Sequence, residues 1–274
     1  HEKRNMKILI NKNFLILSFV FIIGIIHWCL FINYGDSQFN YFDWKLTYPF
    51  FDVIKHSGEA FKIPYHAMYY DAPLTQYGDS IYQSTNGSYD IRFFANGFSL
   101  VSPHLFLLSF FDVPIMVTIH ILIFYSIGFW GIVLWIKKFN LSIPASIFLF
   151  SIWSFNGFIT EHIGVGHLIS RTGYLYLPMF FWLFYKFIEK QDLQWENKIK
   201  NVILFSLFIF FTKLNGNGQV VSQFLLVGSI VILFYPKQWF WYAGAVVLSF
   251  LMMIFYIVPT AIFSAYGDFL DSST

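Results

Sequence analysis

"FLILSFVFIIGIIHWCLFI" (Phe14–Ile32) runs for nineteen residues without an Asp, Glu, Lys or Arg. As a helix it reaches about 28 Å, close to the hydrocarbon thickness of a bilayer. Its apolar residues are continuous rather than alternating, which excludes a barrel strand and points to a helix that satisfies its own backbone in lipid. A cleaved secretory signal competes with this reading. However, the apolar core is too long for one and no small-residue cleavage site follows, so an uncleaved spanning helix is expected. The chain as a whole agrees. It is 57% hydrophobic and 23% aromatic, with 12% charged residues, where a soluble domain carries about 25% charged residues. The expected class is all-α: a single polytopic transmembrane bundle over residues 1–274. The net charge of +2 gives no reason to expect a nucleic-acid partner, and the lone Cys29, inside the first run, permits no internal disulfide.

Working outward, "HEKRNMKILINKN" before the first span is basic and polar. Residues 34–103 after it form a loop rich in Asp, Tyr, Pro, Gly and Asn, with amphipathic pieces such as "YPFFDVIKHSGEAF". "HLFLLSFFDVPIMVTIHILIFYSIGFWGIVLWI" is too long for one span, and Asp112 and Pro114 divide a short lead-in from a second span at Pro114–Ile136. Further spans are expected at Ile143–Phe158, Tyr174–Ile188, Val202–Thr212, Val220–Phe234 and Trp239–Val258, seven in all. Positive charge sorts them. Lys3, Arg4, Lys7 and Lys12, together with the lysines of "KKFN", "EKQDLQWENKIK" and "YPKQ", then fall on one side, which makes the N-terminus cytoplasmic. The 34–103 loop becomes extracytoplasmic, and with it "TEHIGVGHLISRTG" (Thr160–Gly173).

That last stretch gathers Glu161, His162, His167 and Arg171 at the end of a span, where charge is tolerated. Gly164 and Gly166 permit close backbone approach, and Arg171 suits a phosphate or carboxylate in a poorly hydrated site. The same residues also read as interfacial charges hydrated at a helix boundary. Two histidines five apart do not match a helical metal-ligand pair, so no metal site is expected. In the loop, Asp36, Asp43 and Asp52 are candidate general bases beside the membrane surface, or solvated loop residues. Asp43 precedes Trp44, an interface-anchoring aromatic. Arg92 and His104 lie among aromatics of the kind that stack on sugars or rest on a bilayer. His27 and His120 fall within spans and read as packed, hydrogen-bonded histidines.

These features together resemble the GT-C superfamily of membrane glycosyltransferases. A first span is followed by a long extracytoplasmic loop with an early acidic motif, "GDSQFNYFDW", and by segments that would be juxtamembrane helices. "SPHLFLLSFFD" leads into the second span. "FNGFITEHIGVGHLISRTGYLYLPMFF" resembles the Gly-His stretch and proline-containing helix of bacterial and archaeal relatives, and "KLNGNGQVVSQFLL" their Gly-rich turn with a Gln at a helix start. The resemblance covers nearly the whole chain and implies the seven-span module after which relatives add further spans. It implies residence in a bacterial or archaeal cytoplasmic membrane, a polyprenyl-phosphate-linked sugar donor, and a glycan, lipid or protein acceptor. It also implies an inverting transfer with Asp43, or else Asp36, as base. His162, His167 and Arg171 would hold the donor phosphate, with Glu161, Arg92 and His104 nearby in the substrate site. Some members use a divalent cation and others none. The chain departs from the pattern in lacking a second acidic motif. The competing expectations are a transporter or flippase of a lipid-linked or small polar substrate, and a non-catalytic GT-C-like scaffold.

Overall fold

Each long apolar run folds as helix, the one open-ended conformation that leaves no backbone group unpaired in lipid. The computed structural model describes residues 2–33, 39, 44, 51, 55, 66–68, 88–90, 107–189, 195–215 and 218–254. Among them α1 is Glu2–Ile32, α2 Val113–Phe139, α3 Ile143–Ser154, α4 Gly157–Gly164 and α5 Leu168–Arg171. A 3-10 turn, Thr172–Tyr176, leads into α6 (Leu177–Ile188). Then come α7 (Trp195–Leu214), α8 (Gly218–Ile232), a 3-10 turn at Pro236–Gln238 and α9 over 239–254. In the first loop Trp44, Phe51 and Lys55 are helical, and β1 (His66–Met68) pairs antiparallel with β2 (Ser88–Asp90), His66 facing Asp90.

Among the described residues, four stretches are long and apolar enough to cross a membrane: Leu15–Ile32, Val113–Phe139, Ile143–Gly164 and Pro236–Ile254. Val220–Ile232 is a shorter apolar helix. Leu15, Phe19, Ile22, Ile26 and Leu30 form an exposed stripe along α1, while Leu17, Trp28 and Ile32 are buried. Large apolar side chains facing outward are what a lipid solvent accepts. Cys29 is exposed on this helix.

Two apolar cores result. The first joins α1 to α4 and the Thr172–Tyr176 turn around Trp28, Met116, Tyr125, Phe150 and Tyr176, and the second joins α6 to α9 around Phe180, Phe205, Ile209 and Tyr242. Polar side chains tie helices together by donating to carbonyls of their neighbours, a bond type suited to lipid. Trp135 Nε1 donates to Pro178 O at 3.0 Å, Trp153 Nε1 to Leu175 O at 2.9 Å, Ser206 Oγ to Ala245 O at 2.8 Å and Tyr242 Oη to Leu225 O at 3.0 Å.

Helix α2 serves as a ruler. From Phe139 back to His120 it rises about 28 Å. At its C-terminal end Lys138 pairs with Glu189, which follows α6. Near the other end His120 bonds Thr172, just after α5. The bundle therefore has a lysine end and a histidine end, separated by about one hydrocarbon thickness.

Candidate functional site

The stretch that draws attention in the sequence is built by a helix ending. Asn156 caps α4, its Oδ1 accepting from Phe158 N at 2.9 Å. At the far end the chain closes in a Schellman motif: Gly166 N donates to Ile163 O at 3.1 Å and His167 N to His162 O at 2.9 Å. Gly166 carries φ 98°, a left-handed conformation natural only to glycine. The motif folds the side chain after the glycine onto the last turn of the helix, a contact usually made by two apolar groups. Here it brings His167 onto His162, rings stacked at 5.2 Å with their Nδ1 atoms 3.0 Å apart. At that distance one nitrogen donates and the other accepts.

The same helix end binds the first loop. Trp44 is fully buried, and its Nε1 donates to Ile163 O at 2.9 Å and Gly164 O at 3.1 Å. A final helical turn leaves carbonyls short of donors; here Gly166 N already reaches Ile163 O, and an indole from 119 residues earlier adds a second donor and reaches Gly164 O as well. Phe39 packs on Trp44 at 4.4 Å, and Phe31 lies beside Gly164.

Arg171 closes α5 and acts electrostatically on His162, as does Glu161. Its Nε is buried without a hydrogen-bond partner, and among the described residues no carboxylate pairs with it. Glu161, the nearest acid in sequence, is exposed. Behind Arg171, Thr172 is held by fully buried His120, Nε2 to Oγ1 3.1 Å. His120 is thus a packed, hydrogen-bonded histidine, as the sequence suggests. His27 differs: its Nε2 has no partner, and the ring packs instead among Trp28, Phe31 and Phe155.

A groove of about 630 Å³ runs beside this cluster. Its walls are almost wholly apolar, with Ile132, Trp135 and Phe139 from α2, Leu149 and Ile152 from α3, and Leu177, Phe181 and Tyr185 from α6. At the histidine end it is bounded by Asn156, Phe158 and Tyr174. Phe158 sets its edge on His162 at 4.3 Å and on Tyr174 at 5.4 Å, so groove and histidine pair share a wall. Tyr174 Oη in turn donates to Gln223 Oε1 at 3.2 Å, a residue of α8.

Of the residues singled out in the sequence, His162, His167 and Arg171 are brought together, and Glu161 lies at their exposed edge. Asp36, Asp43, Arg92 and His104 lie outside the described residues. Sequence reasoning noted Trp44 as a membrane anchor and missed its role as a helix cap. It also missed the groove, because no local pattern announces a gap between α3 and α6. The Schellman turn had a signal, the glycine at Gly166 immediately after an apolar helical run. No family model, curated protein or solved structure matches this chain, and the chemistry is argued from its own residues.

Proposed function

We propose that the chain is a membrane glycosyltransferase of GT-C type, which takes a sugar from a polyprenyl-phosphate-linked donor and passes it to an extracytoplasmic glycan, lipid or protein acceptor. The histidine end then faces outward, the lysine end faces the cytoplasm, and the chain makes seven passes. The observation that carries the reading is an apolar groove that shares Phe158 with a histidine pair, and beside that pair an arginine whose Nε is buried and unpartnered. A buried guanidinium nitrogen without an acceptor is costly, and an anion offsets that cost. A lipid phosphate supplies that anion beside the histidine pair, and its isoprenoid chain has an apolar wall to follow at the Phe158 and Tyr174 end of the groove.

In the reaction, the base removes the proton of the acceptor hydroxyl as its oxygen attacks the anomeric carbon. The bond from that carbon to the phosphate oxygen breaks on the opposite face, and its electron pair leaves with the lipid phosphate. Arg171 and the histidine pair stabilise the charge as it develops there. Asp43 is the base of choice because its neighbour Trp44 is bound to the same helix end. A flippase is less well supported, since the middle of the groove, at Leu149, Ile152 and Phe181, carries nothing to escort a headgroup.

The test combines binding and transfer in the membrane-embedded protein. Arg171→Gln is expected to weaken polyprenyl-phosphate binding by about tenfold or more, the scale of a charge-assisted contact. Asp43→Asn is expected to keep binding and lose transfer. Full transfer by Asp43→Asn would overturn the assignment of the base. Unchanged binding by Arg171→Gln would overturn the phosphate site, leaving a scaffold whose charges only mark helix ends.

A further inference from the structure

The mechanism above uses only the histidine end of the groove. At the other end the groove opens between Trp135, Phe139, Tyr185 and Ile188. Beside that opening, two ammonium groups share one carboxylate. Lys138 pairs with Glu189 Oε1, and Lys186 Nζ lies 3.1 Å from Oε2. Glu189 is 7% exposed, whereas each lysine side chain keeps 31% of its surface. The triad therefore carries one positive charge more than its carboxylate balances, with no second carboxylate paired to it among the described residues, and the lysines are its more exposed members. Aromatic faces hold both cations in place: Lys138 is 5.6 Å from the Tyr185 ring centroid and Lys186 4.6 Å from that of Trp182. On the next helix Lys198, 5.7 Å from the Trp241 ring, adds a third cation, and it lines a polar notch together with Lys186, Glu189, Asn201 and Gln238.

We propose that this end is a binding site for a phospholipid with an anionic headgroup, held at Lys138 and Lys186 while one acyl chain enters the groove past Phe139 and Tyr185. Three observations converge on that occupant. The charge surplus matches a phosphodiester that bears no cation of its own, while a zwitterionic headgroup brings an ammonium against the lysines. Trp135, Trp182 and Tyr185 form an aromatic belt of the kind that sits at headgroup depth. The groove gives the same molecule an apolar channel for its tail, which no soluble anion can use. Basic pockets between helices on the cytoplasmic side are established as headgroup sites in membrane proteins generally. The groove reaches both ends of the bundle, so lipids of the two leaflets meet it separately, and the site is independent of the chemistry at Arg171.

The full chain, delipidated in neutral detergent, would be titrated with phosphatidylglycerol or phosphatidylcholine, and retained lipid counted by native mass spectrometry. Preferential retention of phosphatidylglycerol is expected. Glu189→Gln frees the lysines from their carboxylate and should strengthen that retention about fivefold, the worth of one basic charge at a membrane surface. The triple variant K138Q/K186Q/E189Q removes the whole triad and leaves no buried charge unpaired; it should fold and lose the preference. Lys237→Gln, an exposed lysine on the turn before α9, should change nothing, and neither should Arg171→Gln. Equal retention of the two lipids, or a preference that survives the triple variant, would overturn the proposal. Displacement of phosphatidylglycerol by inorganic phosphate would assign the cluster to a soluble anion and overturn it equally.

Discussion

At Gly166 the site depends on one dihedral angle. A φ of 98° is open to glycine and strained for any residue with a Cβ. Gly166→Ala should lower stability by about 1–2 kcal/mol and unstack His167 from His162, because the turn that joins them must open. The check is a thermal melt in detergent together with the imidazole resonances of the pair. Gly157 is the control: nothing lies within 4 Å of a Cβ added there, so Gly157→Ala should hold or raise the melting temperature. Trp44→Phe keeps the ring's packing and deletes only the donor to Ile163 and Gly164. It should cost about 1–3 kcal/mol, since at a buried helix end Gly164 O loses the indole donor and Ile163 O is left with backbone donors alone. It should also speed proteolysis of the first loop. The polar content of the site was legible in the sequence, because His162, His167 and Arg171 stand out from an apolar background. Its geometry was not. A helix ending brings these residues together, and the indole that seals the ending comes from 119 residues away.

Among the elements, the seam between α2 and the α5–α6 junction bears most on the site. A Cβ at Gly128 would stand 1.8 Å from Leu175 O and 2.3 Å from Trp153 Cζ2, and one at Gly131 would stand 2.4 Å from Met179 N. Leu175 O and Met179 N are backbone atoms of a segment pinned by two indole bonds, one of them from Trp153 itself, so the neighbour cannot give way. Gly128→Ala and Gly131→Ala should each destabilise by about 1–3 kcal/mol, as overpacking of a tight interface does. Both should weaken polyprenyl-phosphate binding as well, because the displaced segment carries Thr172 and Arg171. A melt and a binding isotherm on each variant check the two effects together. The break between α3 and α4 is marked in sequence by "FNGF", where Asn156 supplies the cap. The expected helix from Tyr174 starts instead at Leu177. Residues 172–176 form a tighter 3-10 turn that lets Tyr174 reach Gln223 and Leu175 offer its carbonyl to Trp153. Hydrophobic periodicity sees only that all of this is apolar.

On the scale of the whole molecule, four stretches among the described residues are long and apolar enough to cross a bilayer, yet the proposed reading needs seven passes. Helix α6, at twelve residues, is about 18 Å long, and the five-residue 3-10 turn before it adds about 10 Å. Together they match one hydrocarbon thickness. Contacts between helix ends order the remaining elements. The Lys138–Glu189 pair brings the end of α6 back to the end of α2, so the chain changes ends between Glu161 and Glu189. Lys198 over Trp241 joins the starts of α7 and α9 at that same lysine end, and Tyr174 bonded to Gln223 keeps the start of α8 near the histidine end. Helices α6, α7 and α8 therefore run alternately between the two ends, the alternation that the proposed seven passes require. The lone cysteine makes the test direct. In a Cys29→Ser background, single cysteines replacing Lys137, Glu161, Glu196 and Lys237 would be probed with a membrane-impermeant maleimide on intact cells. Seven passes expect labelling at 161 alone, with 137, 196 and 237 reached only after the membrane is opened. If only the four long helices cross, the chain stays outside from Glu161 until α9. Positions 196 and 237 would then label together with 161, and the lysine cluster around Glu189 would face the exterior instead of the cytoplasm.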